Sequence, residues 1–266
     1  MLALAWMACS GNEGDGDVDP TNGGTDTAQG DDDTDTDSGS DLWEPNVTTD
    51  GGAETCVILF GQLDRIRGPD EGLPVGDTGR TLQVWVRSDN PAEQIALAYG
   101  RASAGQGFQL GTSSGYPLLR VGTSQTAVIS GDVFVGDDEW HHLVASWDGN
   151  TAVLVVDGQV AGVGALEADT LEGDLMAGNT PTGDGTKPWI GWLDDAKVIK
   201  GPRDPVDVAD DPEALAVPPD DVLVWWDFEV DQSYGIGVVV PDLSGHGHDG
   251  LSAGLDGTTP LFVPCR

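Results

Sequence analysis

Short runs in which apolar and polar residues alternate, or in which β-branched and aromatic residues dominate, begin at Cys56 and recur about every ten residues toward the C-terminus. They read CVILFGQL, RTLQVWVRS, QIALAYGR, GFQLGTS, PLLRVG, TAVISGDVFV, WHHLVASW, TAVLVVDG, GWLDDAKVI and VLVWWDFEV, with Gly, Asp, Asn and Pro between them. Period-two alternation places successive side chains on opposite faces of a strand, so each run predicts a strand with one face turned to a core. No stretch keeps a helical period over three turns. The spacing predicts an all-β fold of two packed antiparallel sheets. Only PVDVADDPEAL (205–215) could hold a helical turn, and its prolines limit the length of that turn.

The best-defined piece is WHHLVASWDGNTAVLVVDGQV (140–160). Asp148-Gly149-Asn150 separates two alternating runs, and a second turn follows at Asp157-Gly158, which is a hairpin signature. Strand geometry sends His141 and His142 to opposite faces, so the pair cannot ligate one metal ion. His141 lines up with Leu143, Ala145 and Trp147, the more apolar set, and this set is predicted to face the core. Trp140, His142, Val144 and Ser146 then face the other way.

Residues 10–50 differ from everything that follows. They are rich in Asp, Gly, Thr and Ser, contain no Lys or Arg, and have almost no large apolar residue before Leu42 and Trp43. Such a segment cannot bury enough surface to offset its ordering entropy, which predicts a disordered, self-repelling spacer. Within it DDDTDTDSGSD (31–41) carries Asp at alternate positions like a calcium loop, but the Gly and the closing Glu such a loop needs are missing. The formal charge of the chain is −35 with only 11 Lys plus Arg. That excess excludes nucleic acid and anionic membrane surfaces as partners, because phosphates need cations, and it is compatible with divalent cations and neutral ligands.

Three cysteines occur, Cys9, Cys56 and Cys265. Cys9 ends the apolar run MLALAWMA and resembles the lipidated cysteine of a bacterial lipoprotein signal, with Ala8 in the expected place. Trp6 stands where Leu is usual, and the basic region that normally opens such a signal is missing. The reading is a signal remnant over 1–9, a lipid anchor at Cys9 as the only membrane association, and a place in the bacterial cell envelope or outside the cell. A run this short cannot span a bilayer, which takes about 20 apolar residues. With Cys9 so used, Cys56 and Cys265 remain as a pair, and a disulfide joining first and last strands follows. The alternative is two buried free thiols. A closed loop of about 200 residues would gain roughly 4–5 kcal/mol in the chain-entropy account.

RTLQVWVRS (80–88), EWHHLVASWDGNTAVLVVDGQVAG (139–162) and PWIGWLDDAKVIKG (188–201) resemble, in order and spacing, the laminin-G-like, concanavalin A-like jelly-roll domains of bacterial secreted proteins. CVILFGQLDRIRGPD (56–70) is similar to their opening strand. WWDFEVDQSYGIGVVVPDLSGHGHDGL (225–251) is similar to a segment that commonly precedes that strand but stands last in this chain. Termini are neighbours in such a fold, so the permuted order is physically easy. The resemblance implies a jelly-roll sandwich over 51–266 whose surface binds glycans or proteins; it implies no reaction.

The resemblance also supplies candidate sites. It implies a structural Ca²⁺ at Asp194 and Asp195, with Asp227 or Asp242 as partners; the alternative is carboxylates that fix loop N–H groups without metal. Trp189, Trp192 and Trp226 are candidate sugar platforms, and the alternative for each is the core. His246 and His248, two apart in a Gly-rich turn with Asp242 and Asp249, are a formal metal set. The E-x-D-x-x-E motif of glycosidases that share this sandwich is matched only by Glu229-Val230-Asp231, with Tyr234 where the last acid should stand. One carboxylate cannot serve as both nucleophile and acid/base. The sequence therefore predicts a non-catalytic, monomeric binding module, with a glycan as first ligand. An extracellular protein or matrix partner, or a purely structural display role, comes second, and a polysaccharide-degrading enzyme last.

Overall fold

The computed structural model describes residues 55–122, 128–204, 219–231, 234–255, 257 and 259–265. Cys9, the 10–50 spacer with its DDDTDTDSGSD stretch, and the 205–215 segment lie outside them. The strands are β1 (Thr55–Phe60), β2 (Arg65–Gly68), β3 (Arg80–Arg87), β4 (Gln94–Gly100), β5 (Gly107–Ser113), β6 (Tyr116–Val121), β7 (Val128–Ser130) and β8 (His141–Trp147). They continue with β9 (Thr151–Val156), β10 (Gln159–Ala165), β11 (Asp174–Ala177), β12 (Ile190–Lys200), β13 (Val222–Trp226), β14 (Val239–Val240), β15 (Gly250–Ala253) and β16 (Leu261–Pro264). A single 3₁₀ turn, Pro219–Asp221, is the helical element among the described residues.

The strands form two antiparallel sheets packed as a sandwich. The first runs β10-β9-β8-β3-β12-β1-β16, with β13 also paired to β12, and the second runs β14-β15-β2-β11-β4-β5-β6-β7. The expected strands are present, although VLVWWDFEV contributes only Val222–Trp226 and, among the described residues, TAVISGDVFV only Val128–Ser130. The short strands β2, β11, β14, β15 and β16 were not separable in the sequence, because four residues or fewer carry too little alternation.

Alternation decides the core. On β3, Leu82, Val84 and Val86 point inward, and on β8 Leu143, Ala145 and Trp147 do so, meeting Leu97, Tyr99, Phe108, Leu110 and Leu119 of the second sheet. The expectation for the hairpin thus holds for Leu143, Ala145 and Trp147. His141, at the mouth of the strand, departs from it and is held by carboxylates instead of core packing.

The C-terminal run completes both sheets. Ala196 pairs with Trp226 where β13 meets β12, and β15 pairs with β2. Trp226 enters the core against two glycines: a Cβ on Gly68 would stand 2.8 Å from Trp226 Cζ2, and one on Gly250 would stand 3.3 Å from it. β16 pairs with β1, and Cys56 is disulfide-bonded to Cys265 with Cα atoms 5.2 Å apart. The bridge joins residues 209 apart in sequence and ties β1 to the residue that follows β16.

A buried cation joins the sheets. Arg80 has no exposed surface, and its Nε–H donates to Thr78 O, Nη1 to Pro74 O and to Tyr99 Oη, and Nη2 to Gly76 O, at 2.8–2.9 Å. Its guanidinium also lies over the rings of Trp147, Phe108 and Tyr99 at 4.9, 5.3 and 5.7 Å from their centroids. Donors for three loop carbonyls and a π-face environment satisfy a charge that forms no direct ion pair among the described residues, with Asp77 acting on it only from a distance. Burial drives the Tyr99 phenol well above its ordinary range, so it stays protonated and donates to Pro74 O. Arg80→Met should therefore cost about 3–5 kcal/mol in urea unfolding, since it strands buried carbonyls as well as removing the ring contacts, whereas Tyr99→Phe should cost about 1–2 kcal/mol. A loss below about 1 kcal/mol for Arg80→Met would refute this account of the junction.

Candidate functional site

The outward face of the first sheet divides into two zones. In the first, register places Phe60 opposite Ile190, Ile58 opposite Trp192, and Trp192 opposite Arg87. Val57, Leu59 and Leu193 face the core, so this row faces away from it. Phe60 is 51 % and Ile190 43 % exposed, and Trp192 is partly exposed. Arg87 lies 6.0 Å from the Trp192 ring centroid and is forked by Asp138, with Nε and Nη2 each 3.1 Å from a carboxylate oxygen. The hydrogen bonds to Asp138 raise the guanidinium's pKa, so the charge under the indole is permanent and already paired. The result is an outward aromatic and apolar strip beside a neutralised cation.

In the second zone the outward side chains are buried. Trp85 stacks on His142 with centroids 4.8 Å apart, and Val144 and Val155 form a small apolar cluster of their own. Gln83 and His142 have no exposed surface, and among the described residues neither nitrogen of the His142 ring has a hydrogen-bond partner. Lys197 Nζ lies 2.6 Å from Asp195 Oδ2 and 4.4 Å from the Trp225 ring centroid, while Trp225 Nε1–H donates to Asp195 Oδ1. His142 was assigned correctly to the face opposite Leu143, but that face is as dry here as the core.

The sequence-predicted tryptophans separate. Trp189 and Trp226 have no exposed surface and donate Nε1–H to Trp192 O and to His248 O, respectively. As sugar platforms they are corrected to core residues. Of the neighbours Trp225 and Trp226 it is Trp225 that turns outward, because the β12–β13 register sets Trp226 beside inward-facing Ala196. Trp192 is the candidate that remains available. The strip's other members, Phe60, Ile190 and Arg87, were missed; the alternation in CVILF and WIGW contained the signal, but apolar residues on both faces concealed which face is wet.

The four calcium candidates do not converge. Asp242 accepts Trp225 N–H and Ser244 N–H on Oδ1, and His248 N–H and Ser244 Oγ–H on Oδ2, so it orders a turn. Burial opposes its charge, and those hydrogen bonds outweigh burial to lower its pKa. Asp195 is taken by Lys197 and Trp225. Asp227 accepts Glu229 N–H, and its pKa is raised, chiefly by burial. Asp194 Oδ1 accepts Asp195 N–H. Among the described residues no three of these carboxylates gather; the one group with ligand atoms all within 4.8 Å of one another is Cys56, Asp194 and Cys265. His246 and His248 do not assemble with Asp242 and Asp249 either. His248 Nδ1 lies 2.8 Å from Pro69 O, and His246 Nδ1 is 3.2 Å from Ser244 Oγ.

Comparison with known proteins follows the fold. The profile of the concanavalin A-like lectin/glucanases superfamily, of laminin-G type, matches residues 60–209, more than half of the 266. The chain belongs to this superfamily. β13 to β16, which complete both sheets, lie beyond the matched region. A candidate carbohydrate-binding protein from Bacteroides ovatus is similar in structure, with a TM-score of 0.57 and 13 % identity over 79 % of this chain. This chain spans 61 % of that protein's length. Domain 4 of the arabinanase AbnA from Geobacillus stearothermophilus, solved with arabinotriose, is similar at a TM-score of 0.47 and 20 % identity, over 58 % of this chain and 75 % of that one. The LG4-5 domains of mouse laminin α1 give a TM-score of 0.47 and 15 % identity, over 62 % of this chain and 48 % of theirs. No curated protein matches the sequence. Among the described residues no helix is long and apolar enough to cross a membrane.

The two adjacent histidines act oppositely on stability. For His141 burial opposes the charge, but hydrogen bonds to Asp157 (2.7 Å) and Asp137 (3.0 Å) outweigh it and raise the pKa above 6.5. Its contribution is complete below 6.5 and is lost as pH rises through the raised value. Burial first, and then the Lys197 charge, push His142 down to about 3, so this ring is neutral when folded and protonates on unfolding. Stability is therefore lost as pH falls from 6.5 toward 3. Urea midpoints across pH should show His141→Asn flattening the decline above 6.5 and His142→Leu flattening the decline below it. Unchanged slopes in both variants would refute the assignment.

Proposed function

We propose that this domain is a non-catalytic carbohydrate-binding module, displayed on the cell envelope or secreted, whose ligand lies on the outward strip centred on Trp192. The observation that carries this reading is a partly exposed indole with Phe60 and Ile190 beside it and Arg87 fixed beneath it by Asp138. A flat apolar strip bordered by polar atoms suits the C–H face of a pyranose, with the ring hydroxyls directed to the rim. Superfamily membership supports a binding role in general, and fold by itself does not select the ligand.

Electrostatics narrow the ligand to neutral glycans. A formal charge of −35 repels uronates and sulfated sugars, and the cations of this face, Arg87 at the strip and Lys197 in the buried zone, are already paired with Asp138 and Asp195. Catalysis is not part of the reading. Glu229 Oε1 accepts the Thr55 N–H, Asp231 has no third acid at the motif's end, and the cleft they line continues with Val230, Val238 and Val239. An anchor at Cys9 with the acidic 10–50 segment as spacer would hold a monomeric domain away from the envelope. A calcium ion near Asp194 and Asp195 would need backbone carbonyl ligands in place of the Asp227 and Asp242 carboxylates.

A second reading, contact with an extracellular protein or matrix, is favoured by one observation. Val239 and Leu251 are cross-strand partners at the edge of the second sheet, and they are 54 % and 49 % exposed. Exposed apolar surface at a sheet edge suits contact with another protein.

Binding to a panel of neutral polysaccharides, followed by calorimetry on the best oligosaccharide, tests the proposal. Trp192→Ala should weaken affinity about tenfold or more, equivalent to ~1.4 kcal/mol, without lowering the melting midpoint by more than a few degrees. No reducing ends should be released. Absence of neutral-glycan binding, or a Trp192→Ala variant that binds unchanged, would overturn it.

A further inference from the structure

We propose that Cys56, Cys265 and Asp194 form a zinc site when the disulfide is reduced, so that the same three residues clasp the chain ends in either redox state. Asp194 Oδ2 lies 3.5 Å from each of the two sulfurs. Disulfide sulfur carries no proton to donate, so these contacts are not hydrogen bonds; they are three donor atoms held close together, two of them buried and that of Cys265 half-buried. Cys56 has no exposed surface and Asp194 only 6 %.

The geometry suits a tetrahedral ion. Zinc bonds of about 2.3 Å to sulfur and about 2.1 Å to carboxylate oxygen set a sulfur–oxygen edge of about 3.6 Å. Both oxygen–sulfur separations already have this value within 0.1–0.2 Å, by the 3.5 Å distances. Only the two sulfurs must part, from bonding distance to about 3.8 Å, the edge between two zinc-bound thiolates. Cys265 follows the last residue of β16, which ends its sheet; the ladder to β1 spans Leu261–Pro264, and the bridge from Tyr234 reaches Leu261, at the far end of the strand from the cysteine. Asp194 is oriented by the Asp195 N–H, which donates to its other carboxylate oxygen at 2.8 Å. Hydrogen-bonded ligand carboxylates of this sort hold metal better than free ones. Two thiolates and one carboxylate offset the dication's charge and leave a fourth position for water.

A phosphine reductant and one water convert the S–S bond to two thiols and leave the phosphine oxide. Zinc then displaces both thiol protons to solvent as two Zn–S bonds and one Zn–O bond form. The site needs nothing from the outward strip and stands independently of the glycan reading.

The full chain in a Cys9→Ser background, so that Cys56 and Cys265 are its only thiols, is titrated with Zn²⁺ and separately with Co²⁺ before and after phosphine reduction. The oxidised form keeps the fold and hides both thiols, which makes it the control for zinc bound by the many surface carboxylates. Reduced protein should bind one zinc per chain at least 100-fold more tightly than oxidised protein, melt higher with zinc than without, and show thiolate-to-cobalt charge-transfer absorption. Asp194→Asn should weaken binding at least tenfold and shift the cobalt bands. Equal zinc affinity in the reduced and oxidised forms overturns the site. Asp194→Asn binding as tightly as the parent, with the same cobalt spectrum, overturns the three-residue donor set.

Discussion

The sandwich depends on a positive charge buried where its two sheets meet. Arg80 stands on a strand of the first sheet, stacks against Trp147 from the same sheet, and lies over Tyr99 and Phe108 from the other. Its donors hold the loop that carries Pro74, Gly76 and Thr78 across the end of the core. A guanidinium tolerates this burial better than an ammonium would, since its planar fork matches several carbonyls at once and its faces can lie against aromatic rings. In a chain with so few cations, one is kept wholly inside and acts as an organiser of backbone and rings.

The remaining cations are mostly neutralised in place. Arg67 pairs with Asp174, Arg87 with Asp138, Lys197 with Asp195 and Arg203 with Asp221, while Arg120 and Lys187 share Glu93. On the proposed reading, anionic partners find little to hold, and recognition falls to shape and apolar surface. The outward face supplies both in one place, because β12 brings Ile190 and Trp192 alongside Phe60 and Ile58 of β1. The disulfide and β16 brace the outer side of that same strand pair, so the strip is displayed on a fixed edge and not on a loop.

The two halves of the His141–His142 pair illustrate how far strand alternation carries. Alternation alone places the rings on opposite faces, and they are there. It does not say that Asp137 and Asp157 would clamp the first ring from either side. Nor does it say that Trp85, from the neighbouring strand, would stack on the second. Both facts come from strands and turns brought together from other parts of the chain.

Sequence alone determined the all-β class, most of the longer strands and the central hairpin, pointed to the superfamily by resemblance, and favoured the pairing of Cys56 with Cys265 over two free thiols. The first three rest on local signals, period two and Asp-Gly turns. Tertiary structure decided which face of each strand is wet. It buried Trp189 and Trp226, turned Trp225 outward, left Trp192 accessible, placed Arg80 inside, and kept Asp194, Asp195, Asp227 and Asp242 from converging. The reason is physical: a side chain's exposure and its ligand partners depend on what the opposing sheet and crossing loops place against it. In a sandwich those neighbours are contributed by distant segments, here by a C-terminal run that threads into both sheets.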